Sequence, residues 1–134
     1  MKNAIKSLVL ILSLSLISCE EKNLEGNYNV IEVSGEDMSG HGITLNIENQ
    51  EGLRVGGNNS CNTYGADITN AGSNNIEVGP IMSTKMYCQE KRDIERAYME
   101  QLANVKSYRF SQGELHMMNE SGKIIIKATK AEDK

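Results

Sequence analysis

The sequence predicts an α+β fold: a strongly bent antiparallel sheet or partial barrel of about seven strands, with one amphipathic helix inserted before the last three. Three observations carry this. Short segments alternate apolar and polar residues, the pattern of half-buried strands. One stretch, 89–104, lacks both glycine and proline and bears an apolar stripe at helical spacing. Twelve glycines against a single proline place tight turns between the segments, not stiff linkers. A length of 134 residues holds one domain of this kind.

The elements follow in order. Segment 27–33 (NYNVIEV) alternates Tyr28 and Val30 against Ile31 and Val33, less cleanly at Glu32. Segment 43–48 is the most regular, with Ile43, Leu45 and Ile47 on one face and Thr44, Asn46 and Glu48 on the other. The glycine-rich stretch 34–42 between them reads as a loop. Gln50-Glu51-Gly52 turns the chain into a return strand at 53–57. The run Gly56-Gly57-Asn58-Asn59-Ser60 suits a bulge. Segments 63–69 and 75–78 are extended and flank a polar loop. In the helix, Ile94, Tyr98, Leu102 and Val105 line up with Ala97 beside them, so this stripe belongs to the core. Segments 107–111, 114–118 and 123–129 then form antiparallel hairpins, and 131–134 is a charged tail.

The N-terminus reads as an address. Lys2 and Lys6 precede the apolar run LVLILSLSL, and Leu16-Ile17-Ser18-Cys19 follows. A basic start, a short apolar stretch and a small residue before the cut make a secretory signal over 1–18. The run is too short for a membrane-spanning helix, which needs roughly 20 apolar residues. The cysteine at the cut resembles a bacterial lipobox, which implies a lipid on Cys19. Residues 19–26 would form a tether to a domain at 27–130. The expected location is the bacterial cell envelope, lipid-anchored at the outer membrane, on its periplasmic side or at the cell surface. Loss of Lys2 and Lys6 would take the net charge from −4 to −6. An acidic chain without a basic cluster is poorly suited to nucleic acid.

Cys61 and Cys88 remain. In an oxidising compartment an even pair reads as a disulfide. Two rivals stand beside it: a redox pair, which more often has C-x-x-C spacing, and a metal site recruiting His41 or His116, for which the spacing matches no zinc pattern.

The central segment carries a resemblance. Gly57-Asn58-Asn59-Ser60-Cys61-Asn62-Thr63-Tyr64 is followed by Ser83-Thr84-Lys85-Met86-Tyr87-Cys88, then by Glu95-Arg96-Ala97-Tyr98 with Leu102, and by Tyr108 to Leu115. Together these resemble the META domain, the HslJ-like family of bacterial envelope proteins. The likeness spans about residues 24–127. The chain departs from the family at Ser60, where glycine is frequent, at Tyr28, where tryptophan is, and at Tyr87, where alanine is. The resemblance implies a small α+β domain, often lipid-anchored or periplasmic. In some members it is linked to heat shock, antibiotic tolerance or motility. It implies no catalytic residues, no enzymatic activity and no cofactor.

The residues themselves offer little catalytic chemistry. The histidines are His41, in a loop, and His116, in a strand with its side chain opposite Leu115 and Met117. No G-x-S-x-G, phosphate loop, EF-hand loop or dinucleotide fingerprint is present. Asn62, beside Cys61, reads as satisfying local backbone groups. Met82, Met86, Met99, Met117 and Met118, with His116, form a soft-donor set that Cu(I) favours; the competing reading is that methionine fills a core short of aromatics. The expected function is a non-catalytic envelope protein that supports stress tolerance through an envelope protein partner. The alternatives are a small-ligand or copper-binding protein, and an inhibitor of an external hydrolase that inserts loop 34–42.

Overall fold

The computed structural model describes residues 23–132. The expected signal at 1–18, the lipid site Cys19, the first part of the tether and the last two residues of the tail lie outside them. Among the described residues there are ten strands: β1 (Gly26–Val33), β2 (Glu36–Asp37), β3 (Thr44–Asn49), β4 (Leu53–Asn58), β5 (Thr63–Gly72), β6 (Asn75–Val78), β7 (Met82–Ser83), β8 (Ser107–Ser111), β9 (Glu114–Met118) and β10 (Ile124–Lys130). A 3-10 turn, Gln89–Lys91, leads into the helix α1 (Arg92–Ala103), which precedes the last three strands as expected. Eight of the ten match the extended segments read from the sequence, one more than the expected figure of about seven; the other two, β2 and β7, are two residues long, too short to show any periodicity.

All pairings are antiparallel, in the order β10-β9-β8-β6-β5-β4-β3-β1-β2, with β7 on β5. β1 also pairs with β10, which bends the sheet back toward itself. The circuit is thin at one place. β6 and β8 share a single residue pair, Asn75 with Ser107, reinforced by Ile76 N donating to Lys106 O and Tyr108 N donating to Asn74 O. The architecture is therefore a strongly bent sheet with a seam, not a closed barrel.

Inward positions alternate as the period-two pattern requires. Tyr28 and Val30 of β1, Leu45 and Ile47 of β3, Val55 of β4, Ala66 and Ile68 of β5, and Leu115 and Met117 of β9 are all buried. β1 changes phase at a register shift between Val30 and Glu32, so Val33 also faces the core. A similar shift at Ile124–Ile126 lets consecutive residues Ile125 and Ile126 both be buried. The helix covers the sheet with Tyr98 and Leu102, and Val105 just beyond it is equally buried, as the stripe predicts; Ile94 is half-buried. Its fit is against β1 and β10.

Three expected boundaries move. Leu24 is buried in the core at 5% exposure, and β1 starts at Gly26, so the tether expected over 19–26 ends sooner. At the other end, Ala131 N donates to Asn27 O, tying down the start of the expected tail. The segment expected as loop 34–42 is a tight hairpin: β2 pairs with β1 and Met38 is buried. There Ser39, through its hydroxyl first and its amide second, holds the Asp37 carboxyl below the usual carboxylate range.

The glycine pair in β4 has a steric cause rather than the expected bulge. The register with β5 runs unbroken from Arg54 to Asn58. Gly57 has φ +146°, and a Cβ there would overlap the carbonyl of Thr44 on the neighbouring strand β3. Gly57→Ala is expected to cost about 2–4 kcal/mol, from strained backbone plus overlap with an immovable carbonyl. Urea unfolding would read this as a lower midpoint at unchanged slope; an unchanged midpoint would contradict the steric reading.

Candidate functional site

The residues that the sequence singles out converge at one end of the sheet, where β4 turns into β5. Cys61 and Cys88 form a disulfide, with Cα atoms 6.0 Å apart. The bond closes a loop with a sequence separation of 27, worth about 3–4 kcal/mol in the chain-entropy account. It fastens the segment after β7, and the start of the helix, onto the turn.

Asn62 does the same with hydrogen bonds. Its Nδ2 donates to Glu95 Oε1 (2.9 Å) and to Met86 O (3.2 Å). Its Oδ1 accepts from Met86 N (2.7 Å) and from Thr84 Oγ1 (2.9 Å). Two donors and two lone pairs are thus all used, the full capacity of a carboxamide. Asn59 braces it: Oδ1 accepts from Asn62 N (2.7 Å) and Cys61 N (3.2 Å), and Nδ2 donates to the same Glu95 oxygen (3.2 Å). Both asparagines are buried. Ser60, between them, has φ +87°, the conformation that glycine takes more easily. Lys91 Nζ donates to its carbonyl at 3.1 Å.

A second link joins helix and sheet. Tyr64 Oη donates to Thr44 O (2.8 Å) and lies 2.6 Å from Tyr98 Oη. Since the Tyr64 proton is on Thr44, Tyr98 is the donor between the two phenols. The rings meet edge to face at 5.6 Å. Burial pushes both phenols above their ordinary value, and for Tyr98 the neighbouring Tyr64 adds to this.

In front of this network stands an apolar edge. Met82, Met86 and Tyr87 are the large hydrophobic side chains left exposed among the described residues, at 79%, 63% and 75%. The core-filling reading of methionine therefore fails for Met82 and Met86. It holds for Met117, which is fully buried, and for Met99, which packs on the core. The copper set is not assembled either. Met82 stands in solvent on the strand beside β5, whereas Met117 is sealed in the core on β9. His116 is on β9 with Nε2 2.7 Å from Glu114 Oε2, and its Nδ1 is buried without a partner. His41 is half-buried in the turn after β2. Neither histidine joins the cysteines, which are bonded to each other. Among the described residues no group of His, Cys, Asp and Glu could hold a metal ion.

The cysteine pair is the disulfide that the sequence suggests, whereas Asn62, expected to serve local backbone groups, instead reaches across the chain to Thr84, Met86 and Glu95; the sequence reading assigns no role to Asn59, Thr84 or Glu95. The signal lay in two spacings. Asn59-x-x-Asn62 straddles the turn, and Glu95-x-x-Tyr98 puts the carboxylate on the same helix face as a core tyrosine.

The META domain family profile matches residues 22–132. The chain belongs to the META domain family. This match covers the disulfide, the asparagine pair and the helix. A comparison with curated proteins returns no match. Among solved structures, the chain is similar to a protein from Burkholderia xenovorans determined by NMR. The TM-score is 0.62 at 15% identity, over 81% of this chain and 83% of that one. At that identity the likeness shows a shared fold for this META domain and nothing further.

Two predictions follow from the geometry of this META domain. Asn62→Ala leaves Met86 N and O, Thr84 and Glu95 short of a partner and is expected to cost about 3 kcal/mol. Asn62→Asp keeps the acceptors, loses both donors and sets a carboxylate against Glu95, so it should be no milder at neutral pH. Chemical unfolding of both variants at neutral pH is the measurement, and near-native midpoints would refute the clamp. The tyrosines supply the other prediction. Raised folded-state values mean that stability is intact below about pH 10, where the unfolded phenol titrates, and falls above it as unfolding releases protons. Tyr98→Phe should flatten that alkaline fall, read as unfolding midpoint against pH with phenolate absorbance as the parallel signal.

Proposed function

We propose that this META domain is a non-catalytic module of the bacterial envelope, held by lipid at Cys19, whose exposed edge binds another envelope protein. The observation that carries the reading is the trio Met82, Met86 and Tyr87, exposed yet fixed from behind by the disulfide and the Asn62 clamp. An apolar surface that is rigid before contact loses little ordering entropy on binding. Methionine and tyrosine are also residue types enriched at interfaces. A partner here is a protein rather than the anchoring bilayer. β5 starts at this edge and runs ten residues, about 30 Å, to the end from which Leu24 and the tether depart. The edge and the point where the described chain begins are thus at opposite ends of the sheet.

Support for the non-catalytic part comes from His116. His116 Nε2 is engaged by Glu114 and Nδ1 is closed off from solvent, so neither nitrogen stands at an accessible base position. The inhibitor alternative is weakened by the hairpin at 34–42, which is tied back onto β1 with Met38 in the core. A role in envelope stress tolerance belongs to the proposal through the family resemblance.

The reading has a direct test in intact cells. A photo-cross-linking residue at Tyr87 is expected to give a discrete protein adduct, whereas the same residue at the exposed Glu51, in the β3–β4 turn at the opposite end of the sheet, gives none. The adduct should vanish in a Met82→Ser, Met86→Ser variant. Equal labelling from both positions would sink the binding edge. Cys19→Ala is expected to move the protein out of the membrane fraction; unchanged fractionation would remove the anchor.

A further inference from the structure

At the end of the sheet opposite the apolar edge lies a cleft of about 1130 Å³. That exceeds the usual few hundred to 1,000 Å³ of small-ligand pockets. It opens beside the β6–β8 seam, because a single residue pair there leaves the two strands splayed. We propose that this cleft is a binding site for a neutral oligosaccharide.

The lining divides into a floor and a rim. Leu53, Ile68 and Ile76 form the apolar base, with the side chains of Tyr108 and Phe110 on one wall. Those two aromatics are half-buried and meet edge to face, 6.2 Å apart. They lie on the core side of β8, because their partners across the ladder, Met117 and Leu115, are core residues. The rim is amide. Asn49 and Asn74 make no side-chain hydrogen bond to any described residue. Asn70 spends only its oxygen, accepting from Gly72 N at 2.8 Å, and keeps its NH2 group unused.

This pairing of chemistries selects the ligand. A sugar ring offers a C–H face that packs on aromatic surface, and an edge of hydroxyls, each both donor and acceptor. Carboxamides offer both functions side by side and satisfy such an edge without charge. The alternatives fit less well. Among the described residues no carboxylate lines the cleft and Arg109 is its one charged residue, too little for a phosphate-bearing ligand on a chain of net charge −4. A metal is not served by this donor set. An acyl chain calls for a dry apolar tunnel, whereas this mouth is ringed by amides. The volume accommodates several sugar units rather than one.

The site is separate from the edge at Met82–Tyr87, so its test is independent of the binding role proposed for that edge. The experiment is an NMR titration of residues 19–134 with chitotetraose and with maltotetraose at millimolar concentration. Binding of either is expected to shift the side-chain amides of Asn49, Asn70 and Asn74 and the backbone of β8, leaving the Met86–Cys88 region unmoved. The double variant Asn49→Ala, Asn74→Gly removes two amides. Glycine suits position 74, where φ is +65°, so the turn is kept. Affinity should fall about tenfold, with the rest of the spectrum retained as a check on folding. Two results would overturn the proposal: neither saccharide shifting these amides, or binding that the double variant leaves unchanged.

Discussion

The carboxamide of Asn62 is the constraint on which the disulfide-bearing end of the molecule depends. It is buried and uses every hydrogen-bonding site it has, reaching the chain between β7 and the helix through Met86 and Thr84, and the helix through Glu95. The Cys61–Cys88 bond fixes the same two pieces covalently, but a disulfide restrains only separation, through rotatable bonds on each side. The amide sets orientation. Four directional contacts meeting at one side chain leave the segment from Thr84 to Met86 a single way to lie, which is why Met86 and Tyr87 can be both exposed and held in place.

Helix placement depends on the same region. Glu95 accepts from Asn59 and Asn62 at the first turn, and one turn later Tyr98 donates to Tyr64, which in turn donates to Thr44. Thr44 is also the residue against which Gly57 lies with no room for a side chain. The turn, the helix and strands β3 to β5 therefore share one set of contacts. Changes at Gly57, Tyr64 and Asn62 should not add independently, because their partners overlap.

Much of this fold could be read from the sequence, and the reasons are local. The Ile94–Tyr98–Leu102 stripe and the alternation at 43–48 are repeating patterns long enough to signal themselves, and the hairpins near Gly113 and Gly122 follow from turn residues, both glycines having positive φ. What escaped was non-local. Two-residue strands have no period, the phase change in β1 follows from pairing with β10, and the need for Gly57 comes from Thr44, thirteen positions away. At the site, the cysteines and Asn62 were visible, but the exposure of Met82 and Met86 was not. Methionine reads as core filler by composition, and only the path of the chain shows which side of the clamp it takes.

The position of β1 has a mechanical consequence. It is an interior strand, hydrogen-bonded to β3 along one side and to β10 along the other. Its first residues adjoin the end where the chain enters, and Met82 to Tyr87 lie at the far end. Antiparallel hydrogen bonds run across the strands. Tension applied between the chain's entry point and the far edge therefore pulls β1 along its own axis, and both ladders are sheared together rather than unzipped one rung at a time. In that direction the domain behaves as a stiff strut. Pulled instead by its two ends, which leave side by side where Tyr28 pairs with Lys130, the same ladder would peel from its last rung inward.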